Sequence, residues 1–275
     1  MAAAANRGQL RRMRLIQLSD PHLLADAHGL WRGRQPWACF ERALEQAWIQ
    51  APAADLLLLS GDLCQDESWA GYARLRDRLA AWPTPVALLA GNHDAPHLLR
   101  AALGRHAVVA PAVLEIAGVR LLLLSSHRTG CVEGWLGPRQ LAWLAGELGR
   151  SNQLPLVVAV HHPPVAIGDP IFDRIDLGDG GALLQLLVGQ PQLKAVVFGH
   201  IHQHWLGALP GRPAVPLLGC PSTLCAYGPV QPCPLGRPQD PGGRLLELDA
   251  QGSLSHTLLR WQAVASQGSL AWASI

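Results

Sequence analysis

Five polar motifs in this chain each directly follow an apolar run of strand length. D-P-H at Asp20–His22 follows Arg14–Leu18, and G-D at Gly61–Asp62 follows Asp55–Ser60. G-N-H-D at Gly91–Asp94 follows Val86–Ala90, H-H-P-P at His161–Pro164 follows Leu156–Val160, and G-H-I-H at Gly199–His202 follows Ala195–Phe198. Short apolar runs bounded by Gly, Pro, Asp or Ser read as strands. Strand ends on one edge of a sheet point at one place, so the five motifs converge. Two shorter motifs follow, P-S-T at Pro221–Thr223 and P-G-G-R at Pro241–Arg244.

Further strands are expected at Val119–Ser125, Val215–Leu218, Leu245–Asp249 and Leu254–Leu259. Helical spacing marks Trp37–Gln50, Ser68–Ala81, Arg139–Leu148 and Ala182–Val188; Trp37, Phe40, Leu44, Ala47 and Trp48 recur on one helix face. Strand–helix alternation implies parallel strands joined by right-handed crossovers. The end differs: Leu245–Asp249, a turn at Ala250–Gly252 and Ser253–Leu259 read as an antiparallel hairpin. The expected architecture is a stacked pair of mixed sheets with helices outside. Two long irregular segments, Leu23–Pro36 and Tyr227–Gly243, are expected to wall the mouth of a site.

The motifs span residues 20–202 and belong to one site, so the 275 residues are read as one domain, 14–262, between tails 1–13 and 263–275. Charged residues are only 15% and the net charge is +2. No Lys/Arg run forms a nucleic-acid tract; Arg11, Arg12 and Arg14 read as a solvated N-terminal tail. No stretch approaches the length of a membrane span, and Met1–Arg14 lacks the apolar core of a signal peptide. A cytoplasmic location follows, in which the six cysteines stay reduced and act as small apolar filler. The sequence leaves a homodimer open.

The motifs carry metal-ligand chemistry. Asp20 and His22 lie two apart, as do His200 and His202; in extended chain such pairs point the same way. Asp62 has two oxygens and can bridge two cations, and the Asn92 carbonyl ligates without adding charge. Gly61, Gly91 and Gly199 let backbone approach the site closely. Two divalent cations bring +4 and the two carboxylates return −2. With a bridging hydroxide about +1 remains, which suits an anionic phosphodiester, and such a metal pair activates water and clamps phosphoryl oxygens.

Together, Asp20-x-His22, Gly61-Asp62, Gly91-Asn92-His93-Asp94, His161-His162 and Gly199-His200-x-His202 resemble the calcineurin-like binuclear metallophosphoesterase superfamily. The resemblance implies a four-layer α/β/β/α sandwich. It also implies one metal on Asp20, His22, Asp62 and His202 and a second on Asp62, Asn92, His161 and His200. His93 would stand near the leaving oxygen, with Asp94 orienting it. The metals implied are two divalent ions, Mn, Fe or Zn, since the donors are oxygen and nitrogen. Within the superfamily, G-D-L-x-Q-D, H-H-P-P, G-H-I-H-Q, P-S-T, P-G-x-R and Gly134–Trp143 resemble class III 3′,5′-cyclic AMP phosphodiesterases. Ala226 and Tyr227 depart from the Gln-aromatic pair usual after P-S-T there. Protein phosphatases differ at G-D-L-C-Q-D and G-N-H-D, and Gln65 stands where purple acid phosphatases carry a tyrosine. The implied function is hydrolysis of cyclic AMP to 5′-AMP. The alternatives are a hydrolase of other diesters (glycerophosphodiesters or nucleotide pyrophosphates), separable by substrate competition, and a silent binding scaffold, which would not need every ligand position filled.

Overall fold

A computed structural model describes residues 12–150 and 152–264. In chain order the elements are β1 (Met13–Leu18), α1 (Pro36–Gln50), β2 (Leu56–Leu59), α2 (Trp69–Ala80), β3 (Val86–Leu88), α3 (Pro96–Leu103), β4 (Val108–Val109), β5 (Ala112–Ile116) and β6 (Val119–Leu123). There follow α4 (Gly137–Leu148), β7 (Leu156–Ala159), α5 (Gly180–Val188), β8 (Leu193–Phe198), β9 (Trp205–Leu209), β10 (Arg212–Gly219), β11 (Gly242–Leu248) and β12 (Leu254–Arg260). The strands form two six-stranded sheets, ordered β12-β11-β1-β2-β3-β4 and β5-β6-β7-β8-β10-β9. In the first, β1, β2, β3 and β4 are parallel while β11 and β12 run against them. In the second, β6, β7, β8 and β10 are parallel, and the edges β5 and β9 are antiparallel.

The strand sequences dictate the layering. Side chains alternate between faces, and in the central strands β2, β3 and β7 both faces are buried, so these read as unbroken apolar runs. Along β2, Leu56 and Leu58 face the opposite sheet while Leu57 and Leu59 face helices. Along β6 and β7, Leu121, Leu123, Val157 and Ala159 face inward and Leu122, Val158 and Val160 outward. The outer face of the first sheet is covered by Phe40 and Leu44 of α1, Leu75 and Leu79 of α2, and Leu99 and Leu103 of α3. Leu144 of α4 and Leu183 and Leu187 of α5 cover the second. The result is the expected four-layer α/β/β/α sandwich. Gln17 of β1 reaches across the inter-sheet layer: its Nε2 donates to Phe198 O (3.1 Å) as well as to Ser60 Oγ beside it (3.0 Å). It ties β1 to β8 next to the ends from which the site grows.

The terminal hairpin forms as expected, with Leu248 opposite Leu254 and Gly252 at positive φ (83°) in the turn. Four elements lie outside the expected set, the two-residue β4 among them. Helix α3 is short and starts at Pro96, directly behind G-N-H-D. Strands β5 and β9 are edges with half-exposed faces (Val113 and Leu206 are exposed), so they lack a continuous apolar run. One expectation is corrected: Arg14 is not part of a solvated tail but lies in β1, its Nε donating to Glu247 Oε1 at 3.0 Å. Arg11 and most of the tails 1–13 and 263–275 lie outside the described residues.

Leu58 is fully buried between the sheets, where no helix can shift to fill a void. Leu58→Ala is expected to cost about 2–5 kcal/mol of stability. Urea unfolding should show a lower midpoint with an unchanged slope.

Candidate metal centre

The parallel strands β1, β2, β3, β7 and β8 all deliver their following residues to one edge of the sandwich. There the chain does not continue extended. Asp20, His22, Asp62, His200 and His202 all have left-handed backbone, with φ of 52°, 46°, 50°, 67° and 53°. Non-glycine residues adopt this region uncommonly, and each instance costs of order 1–3 kcal/mol unless the surroundings enforce it. The extended i, i+2 geometry expected for Asp20/His22 and His200/His202 is therefore corrected. Asp20 and His22 do reach one cluster, but by successive tight turns, and His200 and His202 point into different clusters.

The backbone hydrogen bonds that force these turns run between the strand ends. Asp20 N donates to Gly61 O (3.1 Å), His22 N to Asp62 O (3.0 Å) and Leu23 N to Leu63 O (2.9 Å). Thr223 N donates to Ser19 O at 3.0 Å, and Ser222 Oγ donates to Asp20 O at 2.8 Å, so the P-S-T motif holds the first turn from outside. Close approach requires glycine at two points. A Cβ at Gly61 would fall 2.1 Å from His161 Nδ1, and one at Gly91 would fall 2.1 Å from Asp62 Oδ1.

Six of the expected ligands, Asp20, His22, Asp62, His161, His200 and His202, are buried and fall into two neighbouring groups, and Asn92 follows the Gly91 that packs against Asp62 and His161. The ligand atoms of Asp20, His22, Asp62 and His202 lie within 4.8 Å of one another. His202 Nε2 is 3.5 Å from Asp20 Oδ1 and 3.0 Å from His22 Nε2. Asp62 faces both halves: Oδ2 lies 3.8 Å from His22 Nε2 and Oδ1 lies 3.4 Å from His161 Nε2. A second grouping brings His161 and His200 together with His162.

The donor set fits a pair of cations. His161 Nδ1 sits 2.7 Å from Ser60 O and His202 Nδ1 3.0 Å from Cys225 O. A carbonyl only accepts, so each Nδ1 carries a proton and each Nε2 is the nitrogen turned inward. His22 Nδ1 similarly meets Gln65 Oε1 at 2.7 Å. The Nε2 lone pairs of His22 and His202 then face each other at 3.0 Å, an arrangement a cation between them relieves. Asp20 Oδ2, Asn92 Oδ1, His161 Nε2 and His200 Nε2 are buried without any hydrogen-bond partner. Buried polar atoms are nearly always paired, so four unpaired donors in one place mark a ligand shell.

Burial holds the His22 imidazole down at about 4 against the pull of Asp62, and drives His200 and His202 well below the usual range. These rings are neutral, the form that ligates. Burial also disfavours charge on His161, but Asp62 overrides it and lifts that ring to about 9. Burial would raise Asp62 too, yet His161 and His22 hold it well below the carboxylate range. Burial lifts Asp20 to about 7, with His161 partly offsetting it.

His93 is placed beside this centre: its N–H donates to Asp62 Oδ1 at 2.9 Å and its ring lies 5.3 Å from that of His22. Asp94 does not orient that ring, which corrects the expectation. Its carboxylate accepts from Leu63 N (3.0 Å), Cys64 N (3.0 Å), Gly91 N (2.8 Å) and Tyr72 Oη (2.9 Å). Asp94 thus locks the turns bearing Asp62 and Asn92 to each other. The His93 ring instead meets Gln65 Nε2 at 3.2 Å. His162, whose role the sequence left open, spends both nitrogens on Ser126 Oγ (2.8 Å) and Val132 O (3.0 Å), which leaves no lone pair for a metal. His127 follows β6 just as the ligands follow their strands, a signal the sequence reading did not use. It anchors Gly91 O through Nδ1 at 2.9 Å and lines, with Asn92, His93 and Val132, a cleft of about 290 Å³. The opposite wall comes from the two long loops. Trp31 stacks on His22 (4.4 Å between centroids), Tyr227 packs on His202 (4.7 Å), and the Arg32 guanidinium lies over both aromatic rings. Farther along the second loop, Gln231 pairs with both backbone groups of Leu206 in β9, and Arg260 of β12 donates to Cys233 Sγ at 3.2 Å.

Comparison with known proteins agrees with this geometry. Residues 13–204 match the calcineurin-like phosphoesterase family. A probable cyclic nucleotide phosphodiesterase of Synechococcus sp. (strain WH7803) is 52% identical, covering 91% of this chain and 97% of that one. The 3′,5′-cyclic adenosine monophosphate phosphodiesterases CpdA of Pseudomonas aeruginosa and Escherichia coli (strain K12) are each 32% identical, covering 90% and 89% of this chain and 89% and 88% of theirs. A dimetal phosphatase from Danio rerio shares the fold, with a TM-score of 0.62 over 91% of this chain and 99% of that one, at 12% identity. The chain belongs to the calcineurin-like phosphoesterase family.

Two outcomes follow for metal loading. Asp62→Ala removes an oxygen from both halves, so elemental analysis after dialysis should find metal near zero, whereas Asn92→Ala should keep about one ion per chain. His161 and Asp20 hold protons below about 9 and about 7, respectively, and those protons compete with a cation. Affinity is therefore expected to rise with pH from about 6 to about 9, and calorimetry in buffers of different ionisation heat should show proton release that fades over that range. A pH-independent affinity would contradict these assignments.

Proposed function

We propose that this chain hydrolyses 3′,5′-cyclic AMP to 5′-AMP, using two divalent cations drawn from Mn, Fe and Zn. Asp20, His22, Asp62 and His202 hold one cation; Asp62, Asn92, His161 and His200 hold the other. The observation that carries this reading is the convergence of four unpaired buried donors, Asp20 Oδ2, Asn92 Oδ1, His161 Nε2 and His200 Nε2, around the two-faced carboxylate of Asp62. The relatives named for cyclic nucleotide and cyclic AMP hydrolysis supply the substrate. The six free cysteines suit work in the reducing cytoplasm, where this nucleotide would be met.

When bound, the cation pair supplies an activated water and neutralises phosphoryl oxygens. The protein does the rest. Asp62 and Asp20 set the net positive charge that attracts a phosphodiester monoanion. The buried turns fix every ligand before substrate arrives, so little reorganisation accompanies the reaction. Water forms the new P–O bond, the bond to the 3′-oxygen breaks, and His93 gives that oxygen its proton. Trp31, Tyr227 and Arg32 form a flat aromatic and cationic wall suited to a nucleoside.

A turnover panel tests this: cyclic AMP, cyclic GMP, bis-p-nitrophenyl phosphate and a monoester, with each metal loaded separately. Diesters should exceed monoesters, and cyclic AMP should give 5′-AMP. Cleavage of the generic diester with cyclic AMP left intact would remove the cyclic nucleotide assignment. His93→Ala should retain both metals and slow cyclic AMP turnover by roughly 10²–10⁴-fold, the range of a general acid. It should slow the p-nitrophenyl ester less, because that leaving group needs no proton.

A further inference from the structure

Gln65 joins two groups that do different jobs. Its Oε1 lies 2.7 Å from His22 Nδ1 and its Nε2 lies 3.2 Å from His93 Nδ1. One carboxamide therefore spans an expected metal ligand and the expected acid. The rings it joins lie 5.3 Å apart, edge to face, with no direct hydrogen bond between them. The segment bearing Gln65 is itself fixed: Gln65 N donates to Leu23 O at 2.8 Å, and the preceding Cys64 N donates to Asp94 Oδ1 at 3.0 Å.

We propose that Gln65 is a positioning residue that sets the tautomer of His93 according to whether the metal at His22 is bound. The proposal rests on the metal-dependent reading above and extends it to a residue with no ligand role. The chain of constraint is short. With His22 Nε2 holding a cation, its lone pair would be taken and the His22 proton would sit on Nδ1, the nitrogen 2.7 Å from Gln65 Oε1. That N–H can only be met by an acceptor, so Gln65 presents Oε1 to it. The amide is planar, and its NH₂ then points at His93 Nδ1. A donor there requires His93 Nδ1 to be unprotonated, which places the proton of the neutral ring on Nε2. His93 is thereby loaded with a proton on the nitrogen away from Gln65. Its backbone N–H, bonded to Asp62 Oδ1, fixes the main chain from which that ring is presented. Without the cation, His22 can carry its proton on either nitrogen, Gln65 can turn over, and His93 loses its preferred tautomer. Metal-ligating histidines commonly gain orientation from the partner of their second nitrogen; here that partner passes the information onward.

Gln65→Glu separates this from simple support of His22. The carboxylate still accepts from His22 Nδ1–H, but offers His93 an acceptor where the amide offered a donor. The zinc-loaded enzyme is used, because zinc is diamagnetic, and imidazole ¹⁵N spectra report which ring nitrogen is protonated. In the parent protein His93 should show a protonated Nε2 and an unprotonated Nδ1, and zinc removal should mix the two forms. In Gln65→Glu, His93 Nδ1 should become protonated while elemental analysis still finds two zinc ions. The ratio of cyclic AMP turnover to bis-p-nitrophenyl phosphate turnover should fall roughly 10²-fold, the low end of a general-acid contribution. Gln65→Met, which has neither donor nor acceptor, serves if the glutamate variant does not fold; it should give mixed His93 tautomers and a smaller fall in the same ratio. An Nδ1-protonated His93 in the zinc-loaded parent overturns the proposal. So does an unaltered His93 spectrum in the variants, or loss of zinc as the only effect. The spectra do not depend on turnover, so an enzyme inactive on cyclic AMP would fail the substrate assignment without touching the tautomer result.

Discussion

The site depends on one set of backbone hydrogen bonds, those between the turn after β1 and the turn after β2. Asp20 N to Gly61 O, His22 N to Asp62 O and Leu23 N to Leu63 O continue the parallel ladder past the point where both strands have ended. They bind two irregular segments to each other as tightly as strands. Asp20, His22 and Asp62 can be held left-handed only because this pairing and the Asp94 carboxylate over-determine the chain around them. The strained conformations therefore locate the function. The same device recurs across the cleft, where Gly199 N donates to His161 O at 3.0 Å and sets His200 and His202 into their own turns.

That geometry decides how the electrostatics resolve. Placed together without water, two carboxylates and four imidazoles would each be driven to their neutral form. The paired environment splits them instead. Asp62, held by His161 and His22 against its burial, keeps its charge, while burial, with the Asp62 charge beside it, lifts Asp20 to about 7. His161, facing Asp62, keeps a proton up to about 9, while His22, crowded by His93 and deeply buried, stays neutral down to about 4. The backbone carbonyls of Ser60 and Cys225 then choose which nitrogen of His161 and His202 is free. The ligand field is thus written largely by main-chain atoms, which explains why it tolerates no side chain at Gly61 or Gly91.

Much of this was legible in the sequence, for a physical reason. Strands buried on both faces must be apolar along their whole length, so β1, β2, β3, β7 and β8 announce themselves, and the polar residues that follow them stand out. The order of Asp20, Asp62, Asn92, His161 and His200 behind those strands carried the site. What was illegible had weaker local signals. Edge strands β5 and β9 need only one buried face. The conformations of Asp20 and His202 are imposed by long-range pairing, so no local pattern distinguishes them from extended chain. Asp94 looked like a partner for its neighbour His93, but its oxygens are consumed by three backbone N–H groups and Tyr72, none of which sequence spacing reveals.

Gln65 and His127 show what kind of role escapes such a reading: the sequence picks out Gln65 within G-D-L-x-Q-D but not what its amide touches. Each works through another group. His127 restrains the Gly91 carbonyl and so the Asn92 turn. Gln65 lies between His22 and His93, where its amide polarity matters more than its presence. Metal ligands are recognisable by type and order because the chemistry admits few donors. Groups that orient them are chosen by geometry alone, and only a packed structure states that geometry. In this protein the step from ligand set to reactive tautomer runs through one neutral amide, because a charged side chain at that position would answer both histidines with the same sign.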